Sequence, residues 1–259
     1  MQLIDVFDAA IRDAEHLRVL YSTILTTNHR AIRPEWANRF FKARLNTWPR
    51  QQGLWRSANA NVLIVGTNVA NVNHRQFQHE SLAVLLRSSL VLYMAAVDKI
   101  LHEALSKHFA ILAKNESLDE LVDISISRAY AIAQHARVHT GKGGKRKKRP
   151  GHALKVEMLA DIYKDSYLKT SNLEKIWVAC GKKQIFQLFS KAHCGQTAQQ
   201  VKDRWSRLYQ YRNRIAHECD MIRKARSQMV SFHPVDSISI MNDLDFIREM
   251  GRFISRQLG

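Results

Sequence analysis

The stretch from Leu82 to Phe109 limits the fold more than any other part of the chain. Leu86, Leu90, Tyr93, Val97, Ile100, Leu101 and Ala104 recur at steps of three and four, the period of a helix with one face against a core. The run from Leu82 to Val97 is apolar enough to raise the idea of a membrane span. It is shorter than the ~20 residues a span requires, and it carries Arg87. A buried central helix is therefore expected, and such a helix needs other helices around it. Arg87, Asp98 and His102 fall within about 60° of one another around it. This stripe reads first as a buried ion pair or structural network, and second as part of a site.

Other segments supply the surrounding helices. Met1 to Leu25 has apolar residues at Leu3, Val6, Phe7, Ala10, Ala14, Leu17, Tyr21 and Ile24, an amphipathic pattern without the charged start and apolar run of a signal peptide. Pro34 to Pro49 predicts a helix in which Trp36, Phe40, Phe41 and Trp48 alternate with Arg39, Lys42 and Arg44. Leu54 to Asn73 is weaker, and its apolar run Val62 to Val65 fits either a strand or a buried loop. Asn115 to Val138 begins with Glu116, Asp119 and Glu120, which suit a helix N-terminus. Val156 to Tyr167 and Asn172 to Cys180 read as short helices, the second capped by Ser171 and stopped by Gly181. Ile185 to Phe189 continues an apolar face through Phe186 and Leu188, and a longer helix starts near Thr197. Asp236 to Leu258, with Ile240, Leu244, Ile247, Met250 and Ile254 at helical steps, closes the bundle.

Charge narrows the partners. Forty Lys and Arg against 23 Asp and Glu leave +17, a field that favours a polyanion such as RNA, DNA or an anionic membrane surface. Gly141 to Gly144 precedes five consecutive basic residues, Lys145, Arg146, Lys147, Lys148 and Arg149, and then Pro150. Glycine and like-charge repulsion predict an exposed flexible loop over 140–152, which with Lys142 either holds a nucleic-acid backbone or stays solvated without a specific partner. Its spacing is wrong for a phosphate-cradling P-loop. His135 and His139 stand four apart, but no third ligand supports them, so no metal and no cofactor is expected. Three cysteines without a Cys-x-x-Cys pair suggest a reducing, cytoplasmic setting.

The chemistry concentrates in Tyr211-Arg212-Asn213-Arg214-Ile215-Ala216-His217-Glu218. Val201, Trp205, Leu208, Tyr211, Ile215 and Ile222 form one apolar stripe, and Arg212, Asn213 and His217 lie off it. Asn213 and His217, four apart, share a face, so Asn213 could hold the His217 ring. Arg212 is about 140° round from His217 on an ideal helix. The two meet if the guanidinium arm folds back, if the helix is distorted, or if a second copy packs across a two-fold axis.

The string Arg212-Asn213-Arg214-Ile215-Ala216-His217 resembles the signature of the HEPN superfamily, and the chain from Leu82 onward is similar to its RiboL-PSP branch. Leu82 to Leu105, with Asp98, looks like the family's early helix with an acidic residue. Ile176 through Gly181 to Phe186 looks like its Ile, Gly, aromatic stretch, and Arg212 to Asp220 like its Arg-Asn-x-Ile-Ala-His-x-Gly-Asp run. Cys219 stands where that run has glycine, and where some relatives carry a tyrosine that an antitoxin adenylylates. The resemblance does not reach residues 1–75, expected to be an N-terminal helical extension to a HEPN-like domain over 76–259.

The resemblance implies an all-α bundle that forms a homodimer and cuts RNA without metal, as a toxin or phage-defence effector of the cytoplasm. An antitoxin or activating partner protein is possible, and no membrane is involved. Arg212 would clamp the phosphate and His217 act as acid or base, with Asn213 orienting and Asp98 and Glu218 in support; Arg214 and the basic loop would bind RNA. The products would be a 2′,3′-cyclic phosphate and a 5′-hydroxyl. A rival reading is a non-catalytic HEPN module that binds RNA or a protein. Duplex DNA binding is less supported, because no helix-turn-helix spacing surrounds a basic recognition helix.

Overall fold

In the computed structural model, residues 2–26, 28–32, 54–56, 62–66, 78–114, 156, 160, 166–193, 195–223 and 230–259 are described. In order they form α1 (Leu3–Ala10), α2 (Arg12–Thr26), β1 (Asn28–Ile32), β2 (Leu54–Arg56), β3 (Val62–Gly66), α3 (His79–Lys114), α4 (Thr170–Ala179), α5 (Ile185–Ala192), α6 (Ala198–Glu218), β4 (Met221–Arg223), β5 (Val230–Phe232) and α7 (Ser237–Leu258). The fold is all-α in class, with two small sheets as accessories. Val62 to Val65, open between strand and loop in the sequence, lies in β3, the middle strand of a three-stranded sheet, parallel to β1 and antiparallel to β2. The helices expected over Pro34 to Pro49 and Asn115 to Val138, the histidines 135 and 139, and the basic loop with Lys142 and Lys145 to Arg149 lie outside the described residues.

Two compact units emerge from the chain, one from Met1–Ala10, Tyr93–Arg214 and Phe246–Gly259, the other from Ile11–Leu92 and Ile215–Asp245. The helices α3, α6 and α7 each contribute residues to both. The central helix α3 spans 36 residues, longer than the apolar run that announced it. By length and composition it could cross a membrane, yet Leu86, Leu90, Tyr93, Val97, Ile100, Leu101 and Ala104 are all buried within the protein.

In the first unit the core is aromatic. Trp177 of α4 stacks on Phe253 of α7 with ring centroids 5.9 Å apart, and Phe189 of α5 meets Phe246 and Phe253 edge-on. Trp205 of α6 is fully buried, and its indole N–H donates to the Leu168 carbonyl over 2.7 Å. A buried indole thus finds the polar partner it needs. Gly251 of α7 lies against the Phe7 ring of α1, where an added Cβ would come within 2.2 Å of the ring. In the second unit, Arg18 of α2 holds Asp245 through two hydrogen bonds of 2.7 and 3.2 Å. The Ser89 hydroxyl of α3 donates to the Ala14 carbonyl at 2.8 Å.

Helix ends follow local chemistry, with one correction. Asp236 caps α7 by accepting the Ile238 and Ser239 N–H groups, both at 3.2 Å. The residue before α4 is Lys169, with no side-chain cap, so Ser171 belongs to the first turn and is not the cap that the sequence suggested. Gly181, at φ +75°, terminates the segment as expected. There the Lys182 N–H returns to the Trp177 carbonyl and that of Gly181 to Val178.

Candidate functional site

The helix that carries the candidate residues is fixed at its start by a reciprocal cap. Thr197 Oγ1 accepts the Gln200 N–H at 3.2 Å, and Gln200 Oε1 accepts the Thr197 N–H at 2.8 Å. Val201, Trp205 and Leu208 anchor the first half of α6 in the core. The stripe then fades, since Tyr211 and Ile215 are only half-buried and Ala216, His217 and Glu218 are exposed. A 21-residue helix held firmly at one end thus presents its last turn to solvent.

Arg212 and Asn213 are half-buried neighbours joined by a 3.0 Å hydrogen bond from Arg212 Nη1 to Asn213 Oδ1. Among the described residues, no hydrogen bond joins Asn213 to His217, so the orienting contact goes to the arginine and not to the ring. The Nε atom of Arg212 is buried without a hydrogen-bond partner among those residues. A buried guanidinium N–H left unmatched costs on the order of 1–3 kcal/mol. Arg214 lies over the Tyr211 ring, its guanidinium carbon 4.8 Å from the centroid.

His217 and Glu218 line an open concavity of about 470 Å³ together with Cys219 and Met221. Just past the helix the backbone turns sharply: Cys219 has φ +51° and Asp220 φ +55°, both left-handed. Glycine enters that region freely, aspartate more readily than most other residues, and cysteine at a steric cost. This is the position at which the resembled motif has glycine. Asp220 then turns inward and is wholly buried. Its Oδ2 accepts the Arg87 Nε–H at 2.7 Å, and Arg87 Nη2 also donates to the His233 carbonyl at 2.5 Å. The His233 N–H donates back to the Asp220 carbonyl at 3.0 Å, which leads into the β4–β5 ribbon.

Arg87 was grouped with Asp98 and His102 from their shared face of α3, and the structure pairs it elsewhere. Its partner is 133 residues away, at the end of the motif. Asp98 accepts the Tyr167 N–H at 2.9 Å, an anchoring role for the chain that enters α4. His102 is buried edge-on to Tyr167, with ring centroids 5.1 Å apart. Burial lowers its pKa from the ordinary 6.5, against an opposing pull from Asp98. Sequence reasoning missed the Arg87–Asp220 pair, whose one signal was an arginine inside an apolar run that had to find a carboxylate somewhere. It also missed the exposed Phe232 of β5, for which the sequence holds no signal.

Among the described residues no three His, Cys, Asp or Glu side chains gather as a metal would require. In comparisons with known proteins the chain matches no protein-family model, no curated protein and no solved structure.

Proposed function

We propose that the chain is a metal-independent endoribonuclease of HEPN type, with Arg212 and His217 as its chemical residues. The observation that carries this reading is the end of α6. It offers an exposed imidazole at a concavity and, five residues earlier on the same helix, a half-buried guanidinium. Cleavage of RNA without metal needs a base to take the 2′-hydroxyl proton, an acid to protonate the leaving 5′-oxygen, and positive charge for the crowded phosphorane. The 2′-oxygen forms a bond to phosphorus as the bond to the 5′-oxygen breaks, giving a 2′,3′-cyclic phosphate and a 5′-hydroxyl. Histidine titrates near neutral pH and can serve in either proton role, whereas arginine keeps its proton and clamps phosphate oxygens. One chain supplies one His217, and a second copy across a two-fold axis supplies the other.

Glu218 borders the same concavity and is placed to influence His217, while Asp98 supports the fold. Arg214 and the basic loop with Lys142 and Lys145 to Arg149 add to the +17 charge that draws RNA. Such an activity suits a cytoplasmic toxin or phage-defence effector, restrained or triggered by a partner protein. The second reading, a non-catalytic HEPN module that binds RNA or protein, draws on the Arg212 side chain. It is half-buried and tied to Asn213, not displayed to solvent. RNA cleavage in EDTA by wild type, Arg212→Ala and His217→Ala separates the two. Cleavage by wild type alone supports the nuclease, and equal RNA binding without cleavage by all three supports the module.

A further inference from the structure

The geometry points to Phe232 as a stacking platform for a base of the RNA strand held beside His217. The inference rests on the ribonuclease reading for its substrate and goes beyond it in naming the group that grips a base. Phe232 is 57% exposed, a large ring left in water at the end of β5. Single exposed apolar side chains are ordinary on protein surfaces, so exposure alone decides nothing. Three further observations do.

Phe232 is the direct register partner of Met221 in the antiparallel β4–β5 ribbon. Residues directly opposed in such a pair project from the same face of the ribbon, with their side chains close together. Met221 lines the concavity that holds His217, Glu218 and Cys219, so the ring stands beside that concavity. The ring is also backed by a cation, with the Arg87 guanidinium carbon 5.5 Å from its centroid. That guanidinium is itself held by Asp220 and by the His233 carbonyl. Phe232 is therefore a largely exposed ring with a fixed cation near it. A base can stack on such a surface whatever its identity, because every base has a π-face. The recognition would be of an unpaired base, which favours single-stranded RNA over duplex.

The test uses the full-length protein and two single-stranded oligomers of equal length and phosphate number, one with bases and 2′-O-methyl sugars, one abasic. The 2′-O-methyl group removes the nucleophile, so binding is read without cleavage. Phe232→Ala should weaken binding of the base-bearing oligomer by about tenfold or more, the loss of one base–aromatic stack, and leave the abasic oligomer unchanged. Phe232→Leu, which keeps apolar bulk without a π-face, should behave like Phe232→Ala, and Phe232→Trp should bind like wild type. The inference is overturned if Phe232→Ala binds the base-bearing oligomer as wild type does, if it weakens both oligomers equally, if Phe232→Leu preserves affinity, or if wild type binds neither oligomer. Cleavage of unmodified RNA, followed in parallel, keeps the two ideas apart. Wild type that binds with base dependence but never cuts sinks the catalytic reading alone, and wild type that cuts while Phe232 proves indifferent sinks this inference alone.

Discussion

Cys219, two residues past His217, carries the most costly backbone geometry in the candidate site. At φ +51° its Cβ crowds the backbone, a cost of about 1–2 kcal/mol that glycine escapes at the price of a more flexible unfolded chain. Cys219→Gly is therefore expected to raise stability by up to about 1 kcal/mol in denaturant unfolding, and a loss of that size would contradict the left-handed turn. His102 makes a second residue-scale claim. Burial lowers its pKa below 6.5, so the unfolded chain binds the proton more readily. The stability it contributes is present above its unfolded pKa and is lost as pH falls from about 6.5 through the lower folded value. Between about pH 7.5 and pH 5 the wild-type Tm should fall further than that of His102→Asn; parallel falls would remove His102 as the cause.

At the scale of elements, the join between α3 and the turn after α6 is the decisive contact. Arg87→Met would leave the fully buried Asp220 carboxylate without its cation, a loss of about 3–5 kcal/mol by urea unfolding. Arg87→Met combined with Asp220→Asn, which keeps a residue suited to the left-handed turn, should recover part of that loss, because the double change leaves no stranded charge. Failure of the double variant to recover would mean that the pair does more than satisfy itself. The same contact shows what a sequence can reveal. Periodicity located α3, α6 and α7, and the inward residues it names on α3 and α7 are buried, because a 3.6-residue repeat is written locally; it left out the buried Met94, Leu105, Phe246 and Phe253. The end of α6 stands out as a candidate site in the sequence because its polar residues are contiguous. The Arg87–Asp220 pair does not, since two charges 133 residues apart share no local pattern. Nor does the orientation of Asn213: helical spacing allowed contact with either His217 or Arg212, and side-chain geometry selected Arg212. The cap of α4 was misread because serine is a common cap, while Lys169 precedes the helix without any side-chain bond.

For the whole molecule, a net charge of +17 and an exposed histidine at the end of a well-anchored helix are the features that any account of function must join. In the ribonuclease we propose, the charge would account for attraction to RNA but not for cutting, and His217 with Arg212 would account for cutting but not for attraction. On that proposal a two-fold assembly would bring a second His217 as the other proton carrier. The most direct test is cleavage of total and transfer RNA in EDTA by wild type, Arg212→Ala and His217→Ala, with the product ends identified. Loss of a general acid or base lowers rate by about 10²–10⁴-fold and loss of one donor to the developing charge by about 10²–10³-fold, so both variants should be inactive on the timescale at which wild type leaves 2′,3′-cyclic phosphate and 5′-hydroxyl ends. Variants that cut as fast as wild type would contradict the assignment of Arg212 and His217.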